Sequence, residues 1–82
     1  MKPISLTVHA NQVLSERHID TAWVSQTTAQ PDWRDADPSG AERRFKAIPE
    51  RDGRILRVVC IETDNEVRVI TAFFDRNARS PR

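Results

Sequence analysis

Cysteine is almost missing from this chain of 82 residues: Cys60 stands alone, so no internal disulfide can form. Its place in the apolar run from Ile55 to Ile61 marks it as a small buried side chain rather than a reactive thiolate. The two glycines, Gly40 and Gly53, cannot build the Gly-rich loop that cradles nucleotide phosphates. His9 and His18 lie nine positions apart with no cysteine pair beside them, so the spacing of a metal site is lacking, and neither metal nor cofactor is expected. No serine or cysteine is tied to a histidine in the manner of an activated nucleophile. No apolar run approaches the roughly 18 residues of a membrane span, and Met1-Lys2-Pro3-Ile4 lacks the apolar centre of a signal peptide. A soluble protein of the reducing cytoplasm, with no membrane partner, is therefore expected. Aromatic residues are scarce as well, so each Phe and Trp should matter to the packing.

What is present fits one small domain, with no room for a second. A core this small is marginal, and association with a second copy or another protein is expected. Charge is unevenly spread. Residues 1–41 carry three cations against five anions, whereas residues 42–82 carry ten against seven. Nine of those ten cations are arginine, whose planar fork suits phosphate and carboxylate.

Two helices are predicted first. Thr7 is an N-cap for residues 7–17, with Ala10, Val13 and Leu14 as the apolar stripe and His9, Val13 and Glu16 aligned along one side. Asp20 caps residues 20–29, where Ile19 and Val24 have the spacing of a hydrophobic staple, and Pro31 closes the helix. Residues 30–41, with two prolines, a glycine and three aspartates, read as a loop in which Trp33 either plugs the edge of the core or marks a contact surface, the plug being the stronger reading. Period-two segments at 43–49, 54–62 and 67–74 follow, joined by Asp52-Gly53 and Asp64-Asn65 as two-residue turns; residues 75–82 form a basic tail. The expected fold is α+β: two N-terminal helices packed on one face of a three-stranded antiparallel β-meander (ααβββ). That register sets Phe45 opposite Cys60, Ala47 opposite Val58 and Leu56 opposite Phe73. It sends Phe45, Ala47, Leu56, Val58, Cys60, Val67, Val69, Thr71 and Phe73 beneath the helices. Arg44, Lys46, Ile48, Arg57, Val59, Ile61, Arg68, Ile70, Ala72 and Phe74 are left on the bare face, an apolar patch with a basic rim.

The remaining chemistry is an acid–base and cation inventory suited to metal-independent RNA cleavage. That reaction removes a proton from the 2′-hydroxyl, returns one to the leaving oxygen and stabilises charge on phosphate. His9 fits as acid or base, and Arg17 with Arg57 as phosphate partners. Each also has a plain structural reading: His9 as a capping or packing residue, Arg17 as a cation at a helix C-terminus, and Thr71 as a hydroxyl satisfied within the sheet. Arg44, Lys46, Arg57, Arg68 and Phe74 on the bare face, with Arg76, Arg79 and Arg82 in the tail, are the candidates for contacting nucleic acid or a protein partner.

The ordered segments Leu6-Thr7-x-His9-Ala10, Glu16-Arg17-His18-Ile19, Pro31, Leu56-Arg57-Val58-Val59 and Val69-Ile70-Thr71-Ala72-Phe73 resemble the Domain of Unknown Function 4258 family from Leu6 to Phe74. Its plan is similar to BrnT-type toxins and, more distantly, to RelE and ParE toxins. His18 stands where the family usually has glycine. The resemblance marks His9, Arg17 and Thr71 as family-pattern residues, with Arg57 a weaker candidate. It implies a toxin-like ribonuclease of a bacterial toxin–antitoxin or related system, with RNA and an antitoxin, another protein or a second copy as partners. The alternative is a non-catalytic module that docks a protein through the open sheet face.

Overall fold

The computed structural model describes residues 2–79. The chain runs β1 (Ile4–Leu6), α1 (Val8–Glu16), α2 (Thr21–Ala29), β2 (Trp33–Ala36), β3 (Glu42–Ile48), a short 3-10 turn (Pro49–Arg51), β4 (Arg54–Glu62) and β5 (Val67–Phe74). Both helices start where their caps predict. Thr7 Oγ1 accepts from the Ala10 N–H at 3.0 Å, and Asp20 Oδ1 accepts from the Ala22 N–H at 2.9 Å. Between the helices the chain reverses through a Schellman turn: the Ile19 N–H donates to the Leu14 carbonyl at 2.9 Å and the His18 N–H to Ser15 at 3.4 Å. This geometry drives His18 to φ 55°, the left-handed region that glycine occupies without strain.

The α+β class holds, but the three-stranded meander is overturned. The sheet has five strands in the order β1-β5-β4-β3-β2 and is mixed. Strand β1 pairs parallel with β5, setting Ile4 beside Val67 and Leu6 beside Val69. Strand β2, inside the stretch expected to be loop, pairs antiparallel with β3, with Trp33 opposite Phe45 and Asp35 opposite Arg43. Neither strand has a strong local signal. The first is three residues between Pro3 and a helix cap; the second carries charges at two of its four positions, as suits an edge strand.

The first hairpin register is also corrected. Pro49 has no N–H to continue the ladder, so pairing stops at Ile48 opposite Arg54, and residues 49–53 make the connection through the 3-10 turn. Phe45 therefore faces Arg57 instead of Cys60, and Ala47 faces Ile55 instead of Val58. A shift of three positions is odd, so it exchanges the two faces of β3. In the second hairpin the expected register holds near the turn, with Glu62 opposite Val67 and Cys60 opposite Val69. A β-bulge then leaves Ile70 without a partner; Thr71 faces Val59, and Leu56 faces Phe74 rather than Phe73.

These shifts decide which side is buried. The core joins Ala10, Leu14, Ile19 and Val24 of the helical layer to Ile48, Leu56, Val58, Cys60, Val67, Val69 and Ala72 of the sheet, with Phe74 packed against it. Ile48, Ala72 and Phe74, expected on the bare face, thus lie under the helices. So do Arg44 and Lys46, which donate to the carbonyls of Thr28 (2.7 Å) and Gln30 (3.1 Å) at the end of α2. Phe45, Ala47, Thr71 and Phe73 move to the other side. Arg44 is 4% exposed and is tolerated there because Glu42 and Glu62 each accept from it at 2.8 Å. Desolvation alone would weaken its charge, but the hydrogen bonds to the two carboxylates outweigh it and hold the guanidinium firmly protonated.

Candidate nucleic-acid interface

One row of side chains crosses the helix-free face. Register places Trp33, Phe45, Arg57 and Phe73 side by side on β2, β3, β4 and β5. The Trp33 and Phe45 rings stack at 4.9 Å with 9° between their planes. The Arg57 guanidinium lies between two rings, 5.9 Å from Phe45 and 5.1 Å from Phe73. Beyond the last strand, Arg17 at the end of α1 comes to 5.9 Å from the Phe73 ring and donates to the Ala72 carbonyl at 3.1 Å. Strand β1 pairs with β5 only as far as Val69, so this bond covers an edge that β1 leaves open. The result is a ladder of three rings and two guanidinium groups across the sheet.

Asp75 orients the central cation. Its carboxylate accepts from Arg57 Nη1 at 2.9 Å, and burial, which alone would raise its pKa, is outweighed by Arg57 and the Asn77 N–H; the acid stays below the usual carboxylate range. Arg57 Nε is buried without a partner among the described residues. The turn after β5 carries Asp75, Asn77 and Arg79 over the row, forming a cleft of about 290 Å³ whose floor is Trp33, Phe45 and Arg57 and whose flank is Arg43. Arg43 is held by Asp35 at 2.6 Å.

The sequence-derived candidates distribute as follows. Arg17 and Arg57 meet around Phe73, and Thr71 lies on the same face two residues earlier, opposite Val59. Its expected place beneath the helices is corrected by the bulge. His9 is exposed in the first turn of α1, on the flank that also carries Val13 and Arg17. Eight residues of helix separate it from Arg17, roughly 12 Å, so the two do not touch. Arg68 is exposed on the open face and paired with Glu66 at 2.9 Å. Arg44, Lys46 and Phe74 leave the site for the helical side. Arg76 and Arg79 lie beyond β5, and Arg82 falls outside the described residues. Sequence reasoning placed Phe45 and Phe73 beneath the helices and read Trp33 as either a plug at the core edge or a contact surface; on the helix-free side Trp33 and Phe73 are partly exposed, while Phe45 is 5% exposed. Pro49 was the available signal for Phe45, since ending the ladder before it turns that ring to the helix-free side; Phe73 arrives there through the β5 bulge.

Cys60 is fully buried, and burial pushes its thiol up, away from the reactive thiolate. Among the described residues no three His, Cys, Asp or Glu side chains gather into a metal-binding group, and no helix is long and apolar enough to cross a membrane. Comparison with curated proteins and with solved structures gives no match. The family comparison does: the family described as Domain of unknown function (DUF4258) matches residues 6–74, from the last residue of β1 to the end of β5 with the whole Arg17–Phe73–Arg57 arrangement, and the chain belongs to that family.

Proposed function

We propose that this protein binds single-stranded RNA across its helix-free face and cleaves it without a metal, in the manner of a toxin of a bacterial toxin–antitoxin or related system. The observation that carries the reading is the Trp33–Phe45–Arg57–Phe73–Arg17 row. The partly exposed Trp33 and Phe73 rings accept bases of any sequence, buried Phe45 backs Trp33 from below, and the guanidinium groups beside them take the intervening phosphates. Arg17 and Arg57 flank Phe73 and hold the phosphate under attack; Thr71 offers a hydroxyl beside them. Cleavage joins the 2′-oxygen to phosphorus and breaks the bond to the 5′-oxygen, with one proton leaving the first oxygen and one reaching the second. His9, roughly 12 Å from Arg17 along α1, is the imidazole this reading assigns as acid or base, and the strand must bring its 2′- or 5′-oxygen to it for the transfer. A relationship to BrnT-type and RelE/ParE-like toxins is part of the same proposal.

Phe73→Ala should weaken binding of a fluorescent oligouridylate by about 1–3 kcal/mol, the worth of one stacked base. His9→Ala should still bind but neither cleave RNA nor arrest growth on expression. Wild-type protein that leaves RNA intact and is harmless when expressed alone would overturn the cleavage reading.

A second reading is favoured by Ile61, a large apolar side chain 45% exposed on the open face near Val59. Here the face docks a protein, an antitoxin or a second copy, without catalysis. Apolar docking persists at high salt and fails with Ile61→Glu, whereas phosphate-driven binding weakens steeply with salt.

A further inference from the structure

Among the described residues most Lys and Arg side chains are paired with carboxylates, but Arg17, Arg51, Arg54, Arg76 and Arg79 form no ion pair with another described residue. Apart from Arg17, these gather at one end of the molecule, where the start of β4 meets the turn after β5 through the Asp75 N–H and the Ile55 carbonyl, 2.9 Å apart. Arg51 and Arg54 lie over the Phe74 ring at 4.8 and 5.4 Å. Arg54, Arg76 and Arg79 line a cleft of about 290 Å³ with Phe74 and Ile55 in its wall.

The carboxylates nearby are mostly engaged. Glu50 accepts from Trp23 Nε1 at 3.1 Å, and Asp75 is held by Arg57. Asp52, in the exposed β3–β4 connection, makes no ion pair with a described residue. This end therefore presents more positive than negative charge. It also adjoins the aromatic row. The two clefts share Asp75, Ala78 and Arg79, so a single turn of chain forms the ridge between them. Arg54 lies three residues from Arg57 along β4, about 10 Å, an odd step that turns its side chain to the other side of the sheet over Phe74, so a strand reaches it by passing round the end of the sheet at the Arg79 ridge.

We infer that this end cleft is a phosphate subsite for the same RNA strand. The strand leaves the Trp33–Phe73 row, crosses the ridge at Arg79 and lays its next phosphates against Arg54 and Arg76. The inference rests on the RNA-binding reading and extends it from a stacking surface to a track longer than one cleft. Its occupant is a polyanionic strand because the unpaired groups are guanidinium forks spaced along a path that continues the first site.

The test measures anisotropy of labelled oligouridylates of roughly four and roughly twelve nucleotides over a salt series. It uses the full chain, the exposed double variant Arg54→Gln/Arg76→Gln, and Phe73→Ala. The longer strand should show the steeper salt dependence, and the double variant should reduce its log–log slope by about 1.4, for two contacts at about 0.7 each. The short strand should bind the double variant as it binds wild type, while Phe73→Ala weakens both. An unchanged slope for the longer strand on the double variant overturns the subsite and leaves the open-face reading intact. Failure of both strands to bind wild type overturns the two together.

Discussion

His18 occupies a left-handed position at φ 55° because the Schellman turn between α1 and α2 requires it, and its side chain makes no hydrogen bond or ion pair among the described residues to offset the strain. His18→Gly should raise stability by about 1 kcal/mol, read as a higher denaturant midpoint with unchanged slope. The turn itself is kept closed by Leu14 and Ile19, which pack on each other's neighbours in the core, so the variant leaves the helix packing undisturbed. Arg57 shows the opposite case. Its chemistry was visible in the sequence, yet its role depended on which rings flank it. Phe45 and Phe73 come from strands twelve and sixteen positions away, and only pairing sets them there.

At the scale of elements, Thr7 joins three pieces of the fold. Its N–H donates to Val69 at 3.1 Å, its hydroxyl donates to Ile70 at 3.2 Å, and the same oxygen accepts from the N–H of Ala10. It ends β1, begins α1 and binds both to the bulge of β5. Thr7→Ala removes the cap and the bulge contact together and should cost about 1–2 kcal/mol, most of it recovered by Thr7→Ser, as read by chemical denaturation. The bulge matters to the site because it turns Thr71 and Phe73 toward the open face while Ala72 and Phe74 stay in the core. Trp23 is tied to the opposite end by Glu50 and meets Phe74 edge-on at 6.1 Å, which fixes α2 over the same hairpin.

Across the whole molecule, carboxylates clasp the sheet to its surroundings. Lys2 and then Arg44 hold Glu62 at about 2, against an ordinary value of 4.5. Ser5 and Arg68 lower Glu66, and Arg57 with Asn77 keeps Asp75 low against the opposing effect of burial. A folded value below the unfolded one means stability that is complete above the unfolded value and disappears as pH falls through the folded one. Stability should therefore decline from about pH 4.5 toward pH 2. Glu62→Gln should flatten that decline in denaturation midpoints measured across the range. The two clasps on β1, Lys2–Glu62 and Ser5–Glu66, should release first, visible as early loss of amide protection at Ile4–Leu6.

The sequence by itself determined both helices, their caps at Thr7 and Asp20, the Asp64-Asn65 turn and the buried Cys60, because each follows from contacts between near neighbours or from apolar run length. It also supplied Arg17, Arg57 and Thr71 as candidates. Tertiary structure alone decided that Ile4–Leu6 and Trp33–Ala36 are strands, since their hydrogen-bond partners lie at Val67–Val69 and Glu42–Phe45 and three or four residues carry too little periodicity to announce pairing. It decided which face of β3 is buried as well. A strand has a side-chain period of two, so one odd shift at Pro49 moved Arg44 into the core and brought Phe45 beside Arg57.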